Sequence, residues 1–186
     1  MIYVYTTGDG KLYTAEDGTL LVVGTSSTLL DGLITDRTPA DVEDVKALAE
    51  RIKAGTATEE QVQAYLNVLQ KGAYTYRDMN RVAEAVQYVA ERLRQFGYLS
   101  RLPVVQFWAV GDKPNEEDFA RYFGNVALLR NAITVWGSTP EAPNSAVGFD
   151  YIKANALEQI LVDVDQILTQ ISQAWFYSGD LYSAEV

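Results

Sequence analysis

The chain has 186 residues, of which 48% are apolar and 22% charged, a composition that supports a folded core and excludes wholesale disorder. Twenty-five acidic and fifteen basic residues give a formal charge of −10, which opposes binding to nucleic acid or to an anionic membrane. Histidine and cysteine do not occur, so histidine bases, thiol nucleophiles and the metal sites built from either are excluded. We expect no cofactor, no metal and no enzymatic activity.

The first 23 residues predict a small antiparallel β meander. Three short runs of β-branched and aromatic residues are separated by the turns Gly8-Asp9-Gly10 and Asp17-Gly18. Such pairs supply the positive φ that tight hairpin turns require. The aromatic tail, residues 178–186, is a candidate for a further strand of the meander.

Three helix starts then follow, each marked by a capping threonine with an Asp or Gln three residues later: Thr38 with Asp41, Thr58 with Gln61, and Thr75 with Asp78. A side-chain oxygen at each position can accept a hydrogen bond from the free amides of the first turn. The first two starts predict a helical hairpin over residues 38–72. The third predicts a long helix that ends before Gly97.

Two more long helices complete a predicted bundle over residues 75–177. Asn115 caps one of them, and Gly124 within it indicates a close contact with another helix. Asp150 begins the longest, which runs to about Phe176 with one apolar face. Three long helices with such stripes can share one core. We predict a mainly α fold with an N-terminal meander, in a single domain covering residues 1–186.

Carboxylates occur in small clusters that could serve chemistry. Those at 41–44 and 116–118 lie in first helical turns, where acids complement the helix dipole. Asp163 and Asp165 are two residues apart, so a helix turns them about 200° away from each other. A hydrolase built from distant carboxylates is therefore the third of our hypotheses.

Aromatic residues of the predicted meander suggest a second hypothesis. Tyr3, Tyr5 and Tyr13 lie in its strands, where their rings could form a platform for a sugar or a receptor. Core packing is the competing explanation for these tyrosines. Joint exposure of the three rings would favour a carbohydrate- or receptor-binding module.

The outer face of the longest helix is unusual because it carries no charge. A solvated helical face normally does, as the helix after Thr75 does with Arg81 and Arg92. Self-association, burial within the chain and simple solvation could each explain it. As an oligomer interface it would comprise Asn155, Gln159, Val162, Gln166, Thr169 and Gln173.

Several stretches together resemble a family of phage and prophage structural proteins, tail-associated, from gut Firmicutes and related bacteria. That family has a DRTxADV helix start, a GTAT turn, a KGAYNxxDLNRV helix start and a C-terminal YSGEIYSGE, in this order. The matching stretches here are DRTPADVEDVKAL at 36–48, IKAGTATEEQ at 52–61, KGAYTYRDMNR at 71–81 and YSGDLYSAEV at 177–186. Thr75 and Ala184 depart from the family pattern.

The resemblance implies a setting rather than a mechanism, since it brings no catalytic residue to any position of this chain. It implies a virion protein that forms homo-oligomers and contacts other tail proteins, located in the virion and, during assembly, in the host cytoplasm. The N-terminal residues lack the basic and apolar regions of a signal peptide, which agrees with that location. Our leading hypothesis is a non-catalytic virion structural protein.

Overall fold

The computed structural model describes residues 28–67 and 70–182. These ranges contain six helices: α1 (Thr28–Asp31), α2 (Pro39–Lys53), α3 (Glu59–Leu66), α4 (Tyr76–Gln95), α5 (Glu116–Ala132) and α6 (Tyr151–Tyr182). Neither range contains a strand. The described part of the chain is an all-α, bundle-like fold.

The predicted fold class is therefore wrong in its β component. The meander was placed on residues 1–23, which lie outside the described residues, and the fold that is described contains helices only. The tail was also expected to leave the helix near Phe176, whereas α6 continues to Tyr182. Extending a helix past Gly179 costs about 1 kcal/mol, which is small because nucleation is complete and each further residue adds a hydrogen bond.

The predicted helix starts are confirmed. Thr38, Thr58, Thr75 and Asn115 each adopt an extended backbone and form a reciprocal capping box with the residue three positions later. Asp150 accepts a hydrogen bond from the amide of the third residue of α6. Local side-chain chemistry thus defines where these helices begin.

Helices α4, α5 and α6 pack against one another around the main core. Arg81 near the start of α4 bonds Glu158 in the first third of α6. Arg92 near the end of α4 bonds Asp165 and Thr169, which lie further along α6. Helices α4 and α6 therefore run in the same direction. The short helix α1 adds Leu30 to the core. Fully buried side chains of the bundle include Val82, Val89, Leu93, Val126, Leu129, Leu157, Ile160 and Leu168.

The α2–α3 hairpin lies outside this core. The spacing of apolar residues predicts that Val42, Val45, Leu48, Ala49 and Ile52 line the inner face of α2, but Leu48 alone of these is buried, and Leu66 of α3 is 65% exposed. The turn at Gly72 packs closely against the start of α2, because a Cβ there would lie 2.0 Å from the carbonyl oxygen of Asp41. The apolar periodicity of α2 therefore overestimated its burial.

Between α4 and α5 the chain forms a non-helical, turn-free segment, residues 102–109, here called the arm. Two asparagines fix it to the bundle. Asn80 of α4 bonds both the amide and the carbonyl of Trp108, and Asn125 of α5 donates to the carbonyl of Val104. The predicted contact at Gly124 is wrong, since a Cβ there would meet nothing within 4 Å.

Candidate functional site

Four charged side chains meet inside the bundle, here called the charge cluster: Arg37, Asp78, Arg81 and Glu158. Arg37 reaches Asp78 at 3.0 Å and Glu158 at 2.8 Å, while Arg81 reaches the same two carboxylates at 2.7 and 3.1 Å. The Glu158 side chain is fully buried, and the Arg37 side chain is 1% exposed. Two cations and two anions make the cluster neutral.

Backbone groups use the remaining hydrogen-bonding capacity of the cluster. Arg37 also donates to the carbonyls of Lys71 and Ile34, and the amide of Ile34 donates to Glu158. Asn155 of α6 bonds the amide and the carbonyl of Arg37 at 3.0 and 2.9 Å. Buried ions are tolerated only when paired and hydrogen-bonded in this way. The cluster thus joins the segment before α2 to α4 and α6.

Sequence reasoning missed this cluster. Asp78 was predicted only as a helix cap, and Arg81 was placed on a solvated face, whereas its side chain is 22% exposed and bonds two carboxylates. Glu158 was not singled out, although it is a charged residue between apolar positions of α6. A charged residue that interrupts an apolar stripe was the feature of the sequence that could have indicated a buried ion pair.

Two tyrosines extend the polar interior beside the cluster. The hydroxyls of Tyr74 and Tyr122 lie 2.5 Å apart, and the Arg37 guanidinium lies over the Tyr74 ring. Burial raises the pKa of Tyr74 above its usual value, and burial likewise raises the pKa of Tyr122. Both hydroxyls therefore stay protonated over the physiological range, as hydrogen-bonding groups of the core.

The two carboxylates of α6 that we considered for catalysis have separate partners. Asp163 accepts from Thr139 and Gln159, whereas Asp165 pairs with Arg92. Burial raises the pKa of Asp165, partly offset by the charge of Arg92. The two do not converge on one cleft, and Arg92, predicted on a solvated face, is instead largely buried at 15% exposure.

The residues predicted as an oligomer interface divide into two groups. Asn155 and Thr169 bond within the chain, the first to the backbone of Arg37 and the second to Arg92. Gln166 and Gln173 are exposed, and Val162 is partly exposed. Gln159 is partly exposed and bonds Asp163. These last four residues form the outward line of α6, here called the α6 face.

A cavity beneath the arm has a volume of about 10 Å³ and is lined by side chains of the arm, α4 and α5. That volume suits one water molecule and no substrate. In the part of the chain that the structure describes, no group of three or more acidic residues is placed to hold a metal ion, and no helix has the length and apolarity to cross a membrane. Tyr3, Tyr5 and Tyr13 lie outside the described residues.

Comparison with protein families, curated proteins and solved structures finds no match to this chain. The resemblance to phage structural proteins stays a prediction. Its motifs nevertheless have structural roles here, since the stretch at 36–48 contains Arg37 and the stretch at 71–81 contains Asp78, Asn80 and Arg81. These residues build the charge cluster and hold the arm.

Proposed function

We propose that the protein is a non-catalytic structural component of a virion, tail-associated, that assembles with copies of itself and with other virion proteins. It would be present in the host cytoplasm during assembly and in the virion afterwards. The observation that carries the proposal is the uncharged α6 face on a chain of charge −10. The sequence resemblance supplies the virion setting.

Every charged side chain of α6 between residues 151 and 174 is bonded to another part of the same chain. Lys153 donates to the carbonyl of Val147, Glu158 lies in the charge cluster, Asp163 accepts from Thr139, and the remaining acid, Asp165, pairs with Arg92. The α6 face is left with amides and one valine. From Gln159 to Gln173 it extends about 21 Å at 1.5 Å per residue.

A highly acidic chain can contact a copy of itself only where charges are absent or complementary. The α6 face meets that requirement, and glutamines there can pair across a symmetric interface through side-chain hydrogen bonds. The interior charges pair with one another and stabilise the fold. Contacts with other copies are made by the exposed α6 face.

The test introduces charge into the α6 face and measures mass by light scattering. Val162→Glu with Gln166→Glu should lower the mass of an oligomeric wild type, because every contact made through the α6 face is lost, without loss of helical circular dichroism. Gln63→Glu with Gln87→Glu adds the same charge at exposed positions of α3 and α4 and should leave the oligomer intact. A monomeric wild type, or an oligomer whose mass is unchanged by the α6 substitutions, contradicts the proposal.

A further inference from the structure

The arm presents one backbone edge without partners. Two even-numbered residues bond the bundle through their backbone: the Val104 carbonyl accepts from Asn125, and Trp108 bonds Asn80 through both its amide and its carbonyl. The backbone amides and carbonyls of Val105, Gln106 and Phe107 have no hydrogen-bond partner among residues 28–67 and 70–182. In an extended chain, backbone groups of successive residues point to opposite sides. The odd-numbered residues therefore form the free edge.

Apolar side chains surround this edge. Val104 is 74% exposed, and Phe107 is 49% exposed. Leu128 lies one helical turn beyond Asn125, on the same side of α5, and is also exposed. Residues 102–111 carry no charge at all. An uncharged, unpaired strand edge is a template for pairing with another strand.

We infer that the arm pairs antiparallel with the arm of a second copy of this chain, about a two-fold axis at Gln106. In this register Val105 faces Phe107 of the partner copy, and the two exchange hydrogen bonds. The symmetric pair does the same, so the free amides and carbonyls of both residues are satisfied in each copy. Gln106 would face its own counterpart as a non-hydrogen-bonded pair.

The charges at the two ends of the arm favour a second copy of this chain as the partner that pairs with the free edge. The register places Arg101 opposite Gly111 and beside Asp112 of the partner copy, and within residues 101–112 it puts no like charges opposite each other. Beyond the edge, Pro103 has no amide to donate, and the Ala109 amide is already bonded to Asp112. The free edge is thus limited to the length that this symmetric pairing uses.

The arm pairing is a contact between two copies that does not involve the α6 face. One of these contacts can therefore be absent while the other is present. The chain has no cysteine, so a single introduced cysteine can form a disulfide only with the same position of another copy. Gln106→Cys should form a disulfide-linked dimer under mild oxidation, because non-hydrogen-bonded pairs have Cα atoms about 4.5 Å apart. Val104→Cys is the control: it is also exposed, but its counterpart would lie about 13 Å away along the strand.

Exclusive crosslinking at position 106, retained in the Val162→Glu, Gln166→Glu background, supports the arm pairing. No crosslink at 106, or equal yields at 104 and 106, overturns it. Phe107→Pro removes an outward amide and should lower the yield several-fold in the Gln106→Cys chain, whereas Phe107→Ala removes the ring alone and should lower it less.

Hydrogen exchange distinguishes the other occupants of the edge. The amides of Val105 and Phe107 should exchange fast in dilute protein and become protected as concentration rises. Slow exchange at every concentration means that another segment of the same chain covers the edge, and fast exchange at every concentration means that it stays solvated. Either result overturns the inference.

Discussion

Replacing Arg37 by methionine tests the charge cluster most directly. The substitution removes four donated hydrogen bonds and leaves Asp78 and Glu158 with Arg81 as their remaining cation. Removing one partner of a buried ion pair typically costs about 3–5 kcal/mol. A domain is stable by about 5–15 kcal/mol, so Arg37→Met should lose a large part of the stability.

Urea unfolding followed by tryptophan fluorescence measures this loss as a lower midpoint at unchanged slope. Arg94→Met is the matched control, because Arg94 is exposed and, within the described ranges, its one ion pair is with Glu91 of the same helix. This substitution should leave the midpoint unchanged. The double variant Arg37→Met, Glu158→Met keeps the cluster neutral and should regain on the order of 1–3 kcal/mol relative to additivity. Strict additivity, or a loss below about 1 kcal/mol for Arg37→Met alone, refutes the reasoning.

Three further predictions concern the fold. Gly72→Ala should destabilise the chain by about 1–3 kcal/mol through a clash with the backbone of α2, whereas Gly124→Ala should stabilise it by about 0.5–1 kcal/mol; equal urea midpoints would contradict both. Thr75→Ala should cost about 1 kcal/mol by removing the acceptor at the start of α4, and an unchanged midpoint would mean that the cap is dispensable. Because burial raises the pKa of Tyr74 and Tyr122, the folded chain keeps protons that the unfolded chain releases near pH 10. Stability should therefore fall as pH rises through about 10, and a midpoint that stays level to pH 11 would show that these hydroxyls ionise normally.

The sequence predicted well what short-range chemistry determines. A capping box needs only a threonine or asparagine and an acceptor three residues later, so the starts of α2 to α5 were readable without tertiary structure. The uncharged line on α6 was also visible as a pattern, and the structure leaves part of it exposed. Its use as an interface remains a prediction.

Long-range contacts account for what was missed. Arg37 and Glu158 are 121 residues apart in sequence, and no local pattern joins them. Helical periodicity suggested a buried face for α2, but burial depends on what a helix packs against, and α2 packs chiefly on α3. The exposed positions assigned to Arg81 and Arg92 were wrong for the same reason, since their partners come from α6.

The position of Arg37 also has a mechanical consequence. Asn155 forms hydrogen bonds with both the amide and the carbonyl of Arg37. The Arg37 side chain bonds α4, α6 and the turn at Lys71. A pulling force on the α2–α3 hairpin therefore reaches Arg37 and its bonds. The bundle would be shielded from tension on the hairpin until these bonds break together, which gives the chain a fixed point behind its two outer helices.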